Sequence, residues 1–547
     1  MPFWWSEPSH QAVPETFADV VLWEAYYCLL LVAIAFQILS TGGMLVWLIT
    51  CFKRRRQLRE VRAVKETVAA VVPCYLPSEA GIIKQTIEHL LQNMELADHL
   101  EVHLVYNTPK DMPLEAELAA MARSKHRGRM LFVHRVHGST SKADNLNYIL
   151  PRLQSKYVAM YDADHHPDPK SLALAIHHLK AAALDCVQGS TYIREGWLPF
   201  RLFIQAEFFV TYFLLLPTME VISGTGLFGG SNAVWVGDKL RSMRFDDRIL
   251  TEDIEFSLRA ILHNGLTFGF LPECRSGELV PANFVSLWKQ RVRWATGWDQ
   301  VTLRHASAFM RAPLSLRRRL GLYYIFVVRW LSQFCTVIIV LFNTTCAVIT
   351  LLRTLRGVQA KDEPSYIVHV QQLSYYLVLF FLAATFLQVM VHWPRAQLVF
   401  AMIVYTVVGP AYVLFTTLVE MASLLKILSG QTASWVVTSR DTSSAEPAPE
   451  PDGGLSQPLR VAAKAPLPWL LLVPCCSVCA IAGSVVGALL GRHQVVRKLW
   501  GWVPFGIGAT TETIFDGRDI VIGFGVGMAA GTLVFASSAV LLKRRQR

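Results

Sequence analysis

The sequence predicts a largely parallel, doubly wound α/β domain inserted into a helical membrane domain. Two observations lead to this fold class. Between residues 67 and 300, short apolar runs rich in β-branched residues alternate with amphipathic stretches, the order that strands and helices have in such a sheet. Long apolar stretches lie on both sides of this region, and 53% of the 547 residues are hydrophobic, more than a purely soluble chain of this length carries.

The basic residues indicate how the chain lies in a membrane. Clusters border three apolar stretches: Lys53–Arg56 follows one, Arg317–Arg319 precedes another, and Lys543–Arg547 follows the last. Such clusters mark the cytoplasmic ends of spans. We therefore expect a multi-pass integral membrane protein with a cytosolic α/β domain, in the plasma membrane or the Golgi. The same placement accounts for the net charge of +11 without a nucleic-acid partner.

Composition divides the chain into six segments. The basic clusters favour one long span in the second segment, with two as the cramped alternative. In order, the segments are an N-terminal amphipathic segment (1–16), the transmembrane span or spans (17–52), the cytosolic α/β domain with an interfacial helix at 200–216 (53–300), interfacial helices and spans (301–428), a loop and flexible linker (429–465), and two C-terminal spans with a basic tail (466–547).

Counting crossings constrains the stretch 398–428, which has Pro410 in its middle. If it crossed the membrane fully, the basic C-terminal tail would lie outside, against the charge rule. We therefore predict that it lies at the interface or folds back without crossing. This gives five spans, with six as the alternative.

Hydrophobic periodicity places the elements of the α/β domain in alternating order. Strands are predicted over Thr67–Val72, Glu101–Tyr106, Arg129–Val136 and Val158–Tyr161, and helices over Gly81–Met94, Leu114–Ala122 and Lys142–Leu153. The apolar run Phe200–Leu216 ends at Pro217 and is predicted to be an interfacial helix, because it is short for a span.

The predicted strand Val158–Tyr161 ends in two carboxylates, Asp162 and Asp164, before a pair of histidines and two prolines. Ligands of open α/β sheets bind at the carboxyl ends of the strands. Carboxylate oxygens suit Mg²⁺ or Mn²⁺, which usually bind through one or two carboxylates plus substrate phosphates. The pattern indicates a site for a metal-chelated nucleotide diphosphate. The alternative is an acidic loop that caps a strand.

Two predicted helix starts carry further candidates. Lys142 follows Gly138-Ser-Thr-Ser141, and a helix N-terminus with a lysine is a suitable place for phosphate. The alternative is an ordinary capped helix, which has the same sequence pattern. Thr251-Glu252-Asp253 opens the helix Ile254–Asn264. Its carboxylates could take the proton from an acceptor hydroxyl, and helix capping with acids in the first turn is the alternative.

The segment Gln290-Arg-Val-Arg-Trp294 lies on a predicted helix that leads to the membrane. Its arginine could stabilise a leaving diphosphate, and its indole could stack on an acceptor sugar. The alternative is a basic helix at the bilayer surface with Trp294 in the aromatic belt.

In this order, Asp162-Ala-Asp164, Thr251-Glu-Asp253 and Gln290-x-x-Arg-Trp294 resemble the signature of the membrane-embedded family 2 glycosyltransferases, which include cellulose, hyaluronan, chitin and curdlan synthases. Lys142-Ala-x-Asn-Leu-Asn147 resembles the lysine motif of that family. Trp435-Val-Val-Thr-Ser-Arg440 resembles the gating loop of the cellulose synthases, with Trp for Phe and Arg for Lys.

The resemblance implies a GT-A fold, a UDP-sugar donor, Mg²⁺ or Mn²⁺, and inversion at the anomeric carbon. It also implies roles for individual residues. These are Asp162 and Asp164 for the metal; Asp253, with Glu252, for catalysis; Tyr75, Glu79, Asn107, Lys142, Asp162, Gln290, Arg293, Thr438 and Arg440 for the nucleotide sugar; and Trp294, Gly230 and Ser231 for the acceptor.

Two positions depart from the family pattern. The aspartate that follows the second strand and contacts uracil is replaced by Asn107, which could still hydrogen-bond a base. The usual Pro-x-Tyr-Asn-Glu reads Pro73-Cys-Tyr-Leu-Pro-Ser-Glu79, which keeps Tyr75 and displaces the acid.

The expected function is processive polymerisation of a UDP-sugar into a β-linked polysaccharide on the cytosolic face, with export through the protein's own transmembrane channel. The growing polysaccharide and the lipid bilayer are then partners, and the sequence is compatible with an oligomer. The alternative is a non-processive enzyme that adds one sugar to a lipid acceptor such as polyprenyl phosphate or ceramide. More distant is a transporter or receptor with a degenerate enzyme domain.

Overall fold

The computed structural model describes residues 17–57, 61–124, 128–196, 198–331, 335, 338, 365–392 and 396–429. Segments 1–16 and 466–547, and all but the first residue of segment 429–465, lie outside the described residues, as do Thr438 and Arg440. The described residues fall into two compact units. One holds 42–326 and 383–429, including the whole α/β domain, and the other holds 17–41 and the described part of 327–382.

The α/β domain is built on one eight-stranded sheet with the strand order β3-β2-β1-β4-β7-β6-β8-β5. Four of the neighbouring pairs are parallel, and β7 and β5 run antiparallel to their neighbours. This confirms the predicted largely parallel sheet. The strands are β1 Val68–Tyr75, β2 Leu100–Asn107, β3 Met130–Arg135, β4 Tyr157–Met160, β5 His166–Pro167, β6 Cys186–Glu195, β7 Ala233–Val236 and β8 Phe268–Leu279.

Helices connect these strands and continue beyond them. They are α1 Phe17–Gln57, α2 Leu76–Glu79, α3 Ile83–Asn93, α4 Pro113–Arg123, α5 Lys142–Ile149, α6 Ser171–Ala181, α7 Leu198–Val210, α8 Leu216–Ser223, α9 Gly237–Arg241, α10 Glu252–Asn264, α11 Phe284–Arg311, α12 Leu316–Tyr323, α13 Ser365–His392 and α14 Ala396–Leu428.

Prolines explain two boundaries that differ from the prediction. Strand β1 continues through Pro73. Proline lacks an N–H, but none is needed here because the pairing of β1 with β4 ends at Val71. The last bond between the two strands joins the Tyr161 N–H to the Val71 oxygen. Helix α5 ends at Ile149, not Leu153, and Leu150–Arg152 forms a 3-10 turn around Pro151.

The core of the domain lies between the sheet and the helices packed on it. Alternate residues of β1, namely Val68, Ala70 and Val72, are fully buried and belong to one apolar cluster with side chains of α3 and α6. Because side chains alternate along a strand, this period of two directs one face of each strand into that cluster. This packing fixes the position of the sheet edge that the carboxyl ends of β1, β2 and β4 form.

The run Phe200–Leu216 does not end at Pro217 as predicted. Helix α7 is followed by a π-helical turn, Thr211–Leu215, and then by α8, which ends at Ser223 before the left-handed Gly224. Pro217 stands in the first turn of α8, where a helix does not need its N–H. The π turn supplies the local irregularity that lets the helical path continue.

Two helices among the described residues, Glu24–Thr50 and Phe200–Ser223, are long and apolar enough to cross a membrane. More than half of the most apolar window of Phe200–Ser223 is buried inside the protein, as in a core helix. The prediction of an interfacial helix here stays a prediction. Helix α14, which contains the stretch 398–428, is continuous over 33 residues. The structure therefore has no fold-back within this stretch, and its placement at the membrane interface stays a prediction.

Candidate functional site

A cleft of about 300 Å³ lies at the carboxyl edge of the sheet. The ends of β1, β2 and β4 form one side of it, and α7, α10 and α11 form the other. Most of the site residues predicted from the sequence line this cleft, including both members of the Glu252–Asp253 pair. They are Tyr75, Glu79, Asn107, Lys142, Asp162, Gly230, Ser231, Glu252, Asp253, Gln290, Arg293 and Trp294.

Asp162 stands at the centre of the polar wall, immediately after β4. Its Oδ1 accepts a hydrogen bond from Lys142 Nζ at 2.5 Å, and its backbone N–H donates to Ser231 Oγ at 2.9 Å. Lys142 Nζ also donates to the carbonyl oxygen of Gly230 at 3.0 Å. These bonds join the end of β4, the start of α5 and the segment 230–231.

Asp164 does not line the cleft, although its position two residues after Asp162 predicted that both carboxylates face the same edge. The side chain of Asp164 is buried, and its Oδ2 accepts the N–H of Leu279 at 3.3 Å. The chain turns after β4, with the N–H of His165 donating to the Asp162 carbonyl at 3.0 Å. Because the strand has ended, its two-residue alternation no longer applies.

The N-terminus of α5 faces the cleft and carries Lys142. Ser141 is the N-cap, accepting the N–H of Asp144 on its hydroxyl at 3.0 Å, and Thr140 and Ser141 both line the cleft. Burial opposes the charged form of Lys142, but the carboxylates of Asp162 and Glu252 outweigh it and raise the pKa of the amine. Lys142 is therefore a fixed positive charge at a helix N-terminus, a favourable place for phosphate oxygens.

Glu252 and Asp253 open α10 opposite Asp162. Burial, then repulsion from Asp253, raises the pKa of Glu252 from its ordinary value near 4.5 to about 7. Burial also raises the pKa of Asp253, against the attraction of Lys142 and Arg293. Its Oδ1 accepts the N–H of Ile254 at 2.8 Å. A buried carboxylate with a raised pKa is a stronger base than one in water.

The segment Gly229–Ser231 approaches Asp253 closely. A Cβ atom added at Gly230 would lie 2.4 Å from the Asp253 Oδ2, and the φ of Gly230 is +85°. Only glycine meets both requirements, the close approach and the left-handed backbone. This segment therefore links the Lys142–Asp162 pair to the carboxylate of Asp253.

Sequence analysis missed the residue that holds this segment in place. Gln188 of β6 is buried, donates from Nε2 to the Ser231 carbonyl at 2.8 Å and accepts the Gly229 N–H on Oε1 at 2.8 Å. Asn232 follows with φ +49° and donates to the carbonyls of Ser190 and Cys274. The run Gly229-Gly-Ser-Asn232 was the available signal, because such runs mark tight backbone turns.

Helix α11 supplies the other end of the cleft. Gly297 lets it approach the start of α10, since a Cβ there would lie 2.4 Å from Thr251 Cγ2. Arg293 is near enough for its positive charge to offset part of the rise in the pKa values of Glu252 and Asp253. Trp294, one residue on, lines the cleft. The structure thus brings Arg293 and Trp294 to the same cleft as Glu252 and Asp253.

At the far end, the residues predicted to contact the nucleotide already make internal hydrogen bonds. Glu79 Oε2 accepts the N–H of Tyr75 at 3.0 Å. Asn107 Oδ1 accepts from Asn145 Nδ2 at 2.9 Å, and its Nδ2 donates to the Ser139 carbonyl at 3.1 Å. A side-chain amide offers two donor hydrogens and two acceptor lone pairs, so Asn107 keeps capacity for a ligand.

The sequence implies a divalent metal ion, and the side chains of the cleft decide whether such an ion could be held here. Among the described residues, no group of three or more His, Cys, Asp and Glu side chains is arranged to hold a metal ion. Mg²⁺ and Mn²⁺ need no such cage when a diphosphate supplies oxygens, and one or two carboxylates then suffice. Asp162 provides a carboxylate that lines the cleft, whereas Asp164 is buried and does not line it. The residues fit an ion held jointly with substrate.

Parts of the chain match two family models and several curated proteins. The model of glycosyl transferase family 2 matches residues 69–214, and the model of glycosyl transferase family group 2 matches residues 157–418. The probable glycosyltransferase YdaM of Bacillus subtilis is 22% identical over 49% of this chain and 63% of its own length. The poly-β-1,6-N-acetyl-D-glucosamine synthase of Staphylococcus aureus is 27% identical over 51% of this chain and 64% of its own length.

The chain spans just under two thirds of the length of these curated relatives. A solved structure of a mannosyltransferase from Pyrobaculum calidifontis, in complex with GDP-Man and Mn²⁺, superposes with a TM-score of 0.39 at 18% identity, covering 73% of this chain and 99% of its own.

The mostly parallel sheet, with a cleft of carboxylates and cations at its carboxyl edge, is a GT-A-like α/β fold. The matches over residues 69–214 and 157–418 support a family 2 glycosyltransferase.

Proposed function

We propose that the protein is a processive, inverting glycosyltransferase that polymerises a UDP-sugar into a β-linked polysaccharide on the cytosolic face of a membrane. One observation supports this most directly. Lys142, Asp162 and the Glu252–Asp253 pair, which are far apart in sequence, line one cleft within a family 2 glycosyltransferase domain. An acid pair with raised pKa values facing a phosphate-type cation site is suited to glycosyl transfer.

The donor occupies the end of the cleft near the sheet. The N-terminus of α5 and the Lys142 amine hold the diphosphate, and Tyr75, Glu79 and Asn107 lie towards the base. Bound Mg²⁺ or Mn²⁺, held by the Asp162 carboxylate together with the diphosphate, would neutralise charge on the leaving group. Thr438 and Arg440, which lie outside the described residues, are proposed as further nucleotide-binding residues.

Transfer is a single displacement at the anomeric carbon. The acceptor hydroxyl, held beside Trp294 and the Gly230–Ser231 segment, gives its proton to Asp253 as its oxygen bonds to that carbon. The bond from the anomeric carbon to the diphosphate oxygen breaks at the same time, and its electron pair leaves with UDP. The Arg293 guanidinium and the Lys142 amine offset the charge that develops on UDP. Attack from the opposite side inverts the configuration.

Polymer formation is favoured over single addition by the acceptor end of the cleft. Trp294 offers an aromatic face of the kind on which a sugar ring stacks, and Trp298 also lines the cleft. One of the relatives, by its name, makes a polysaccharide. The product then leaves through a channel formed by the protein's own membrane spans.

The test is a turnover screen of the full-length protein in nanodiscs. UDP-glucose, UDP-N-acetylglucosamine, UDP-galactose and GDP-mannose are each supplied with Mn²⁺, Mg²⁺ or EDTA, and both nucleotide release and labelled product are measured. We expect one UDP-sugar to be consumed only with a divalent ion and the label to accumulate in long chains. A single lipid-linked sugar would establish the single-addition alternative, and no consumption of any donor would contradict the proposal.

A further inference from the structure

Helix α11 carries a buried arginine to which the proposed reaction assigns no step. The Arg291 side chain is 7% exposed and does not line the cleft. It pairs with Glu207 of α7 through two parallel hydrogen bonds, Nε to Oε1 at 3.0 Å and Nη2 to Oε2 at 2.8 Å. This two-point pairing fixes the plane of the guanidinium as well as its position.

That fixed plane contacts two residues that do line the cleft. The Arg291 Cζ lies 4.3 Å from the centroid of the Trp294 ring, and Nη1 donates to Gln290 Oε1 at 2.6 Å. Trp294 is three residues beyond Arg291, so the two side chains are neighbours on one face of the helix. A guanidinium stacked on an indole away from water restricts the tilt of the ring.

Glu207 is bonded by Tyr412 of α14 as well as by Arg291. Phe208, the residue after Glu207, lines the cleft, and its ring lies 5.8 Å from the Arg291 Cζ. Burying an ion pair in an apolar helix contact adds little or nothing to stability compared with apolar residues of similar size. What a buried pair adds here is a fixed orientation for the residues that touch it.

We propose that Arg291, held by Glu207, is a positioning residue that sets the plane of Trp294 for the acceptor sugar. The inference rests on the proposed glycosyl transfer and concerns the acceptor half of the cleft only. At the donor half, Asp162 and Lys142 bond to each other and to the segment 230–231. Disturbing the Arg291–Glu207 pair should therefore separate donor binding from transfer to the acceptor.

The variant Arg291→Lys tests this separation, because lysine keeps the charge but loses the two-point pairing and the flat stacking surface. The full-length protein is assayed with the radiolabelled UDP-sugar that the wild type consumes. We expect the fraction of consumed sugar that reaches product to fall about tenfold or more. Binding of UDP in the presence of Mn²⁺ should change by less than about twofold, since donor contacts are untouched.

Arg259→Lys is the matched control. Arg259 makes the same two-point pairing with Glu255, with Nε to Oε1 at 3.0 Å and Nη2 to Oε2 at 2.9 Å, outside the cleft. It should leave the partition of consumed sugar between labelled product and free sugar unchanged. Glu207→Gln serves as a second variant if Arg291→Lys does not fold, and it should change the partition in the same direction.

The inference is overturned if Arg291→Lys partitions consumed sugar as Arg259→Lys does, or if it weakens UDP binding as much as incorporation. A wild-type protein that consumes no nucleotide sugar would defeat the proposed function itself, which is a different result.

Discussion

Burial sets the chemistry of the two carboxylates that open α10. The pKa of Glu252 rises to about 7, first through burial and then through repulsion from Asp253. Lys142 and Arg293 oppose that rise in both carboxylates. The pair therefore shares its protons, and the titration seen in an experiment belongs to the two groups together. Protonation of the pair should accordingly be visible in the stability of the protein as well as in its activity.

Glu252→Gln provides the stability test. The folded protein raises the pKa of Glu252 from near 4.5 to about 7, so the protonated carboxyl stabilises the fold fully at low pH. That contribution is lost as the pH rises from 4.5 to 7, whereas the neutral glutamine loses nothing. We expect the wild type to melt about 2 °C or more below Glu252→Gln at pH 8, with the gap closing at pH 5.

Gln85→Ala, a change at an exposed position of α3 that has no titratable group, is the control, and its melting difference from the wild type should not change with pH. A constant gap between the wild type and Glu252→Gln from pH 5 to pH 8 would contradict the assignment.

At the scale of elements, one glycine segment joins the two halves of the site. Gly230 accepts the Lys142 ammonium on its carbonyl and faces the Asp253 carboxylate with its Cα. Gln188 of β6 fixes the segment by bonding to both of its ends. The position of Asp253, the proposed base, relative to Lys142 and Asp162 thus depends on the backbone conformation of this segment.

Gly230→Ala should remove activity for a local reason. The new Cβ would lie 2.4 Å from the Asp253 Oδ2, so the carboxylate has to move. We expect transfer to fall about a hundredfold. Gly128→Ala is the control, because Gly128 has the same φ of +85° and no atom of the described residues within 4 Å of the added Cβ. Both variants carry the strain of about 1–2 kcal/mol, and only the first should lose transfer. Equal losses would contradict this role.

The sequence predicted the first half of the sheet well because its local signals agree. Strands β1 to β4 are apolar runs between helical periods, and each was placed within a few residues. Strands β6 and β8 were not predicted. Their register shifts between Gly189 and Ser190, and β8 contains Pro272 and several charges, so alternation is interrupted. Such strands form because neighbours pair with them, which a local pattern does not reveal.

The same limit explains what was missed in the site. The cleft residues on helix starts, Lys142 and Asp253, were found because capping patterns are local. Asp164 was placed on the wrong side because a turn after β4 redirects it. Gln188 and the Glu207–Arg291 pair act through contacts between distant elements, so no short motif marks them.

At the scale of the whole molecule, two acidic clusters separated by three strands and several helices line one cleft. Asp162 follows β4 by two residues, and Asp253 lies in the first turn of α10, after β5, β6, β7 and the α7–α8 helices. The fold brings them together because β4 and β7 are paired, and the Gly229–Ser231 segment leads directly into β7. In this account Asp162 serves the donor and Asp253 serves the acceptor.

The most direct measurement compares Asp162→Asn and Asp253→Asn in two assays on the same preparations, Mn²⁺-dependent UDP binding and transfer of labelled sugar. Asp253→Asn should keep UDP binding within about twofold and lose transfer by roughly 10²–10⁴-fold, because only the base is removed. Asp162→Asn should lose both. Near-normal transfer by Asp253→Asn, or unchanged UDP binding by Asp162→Asn, would contradict the account.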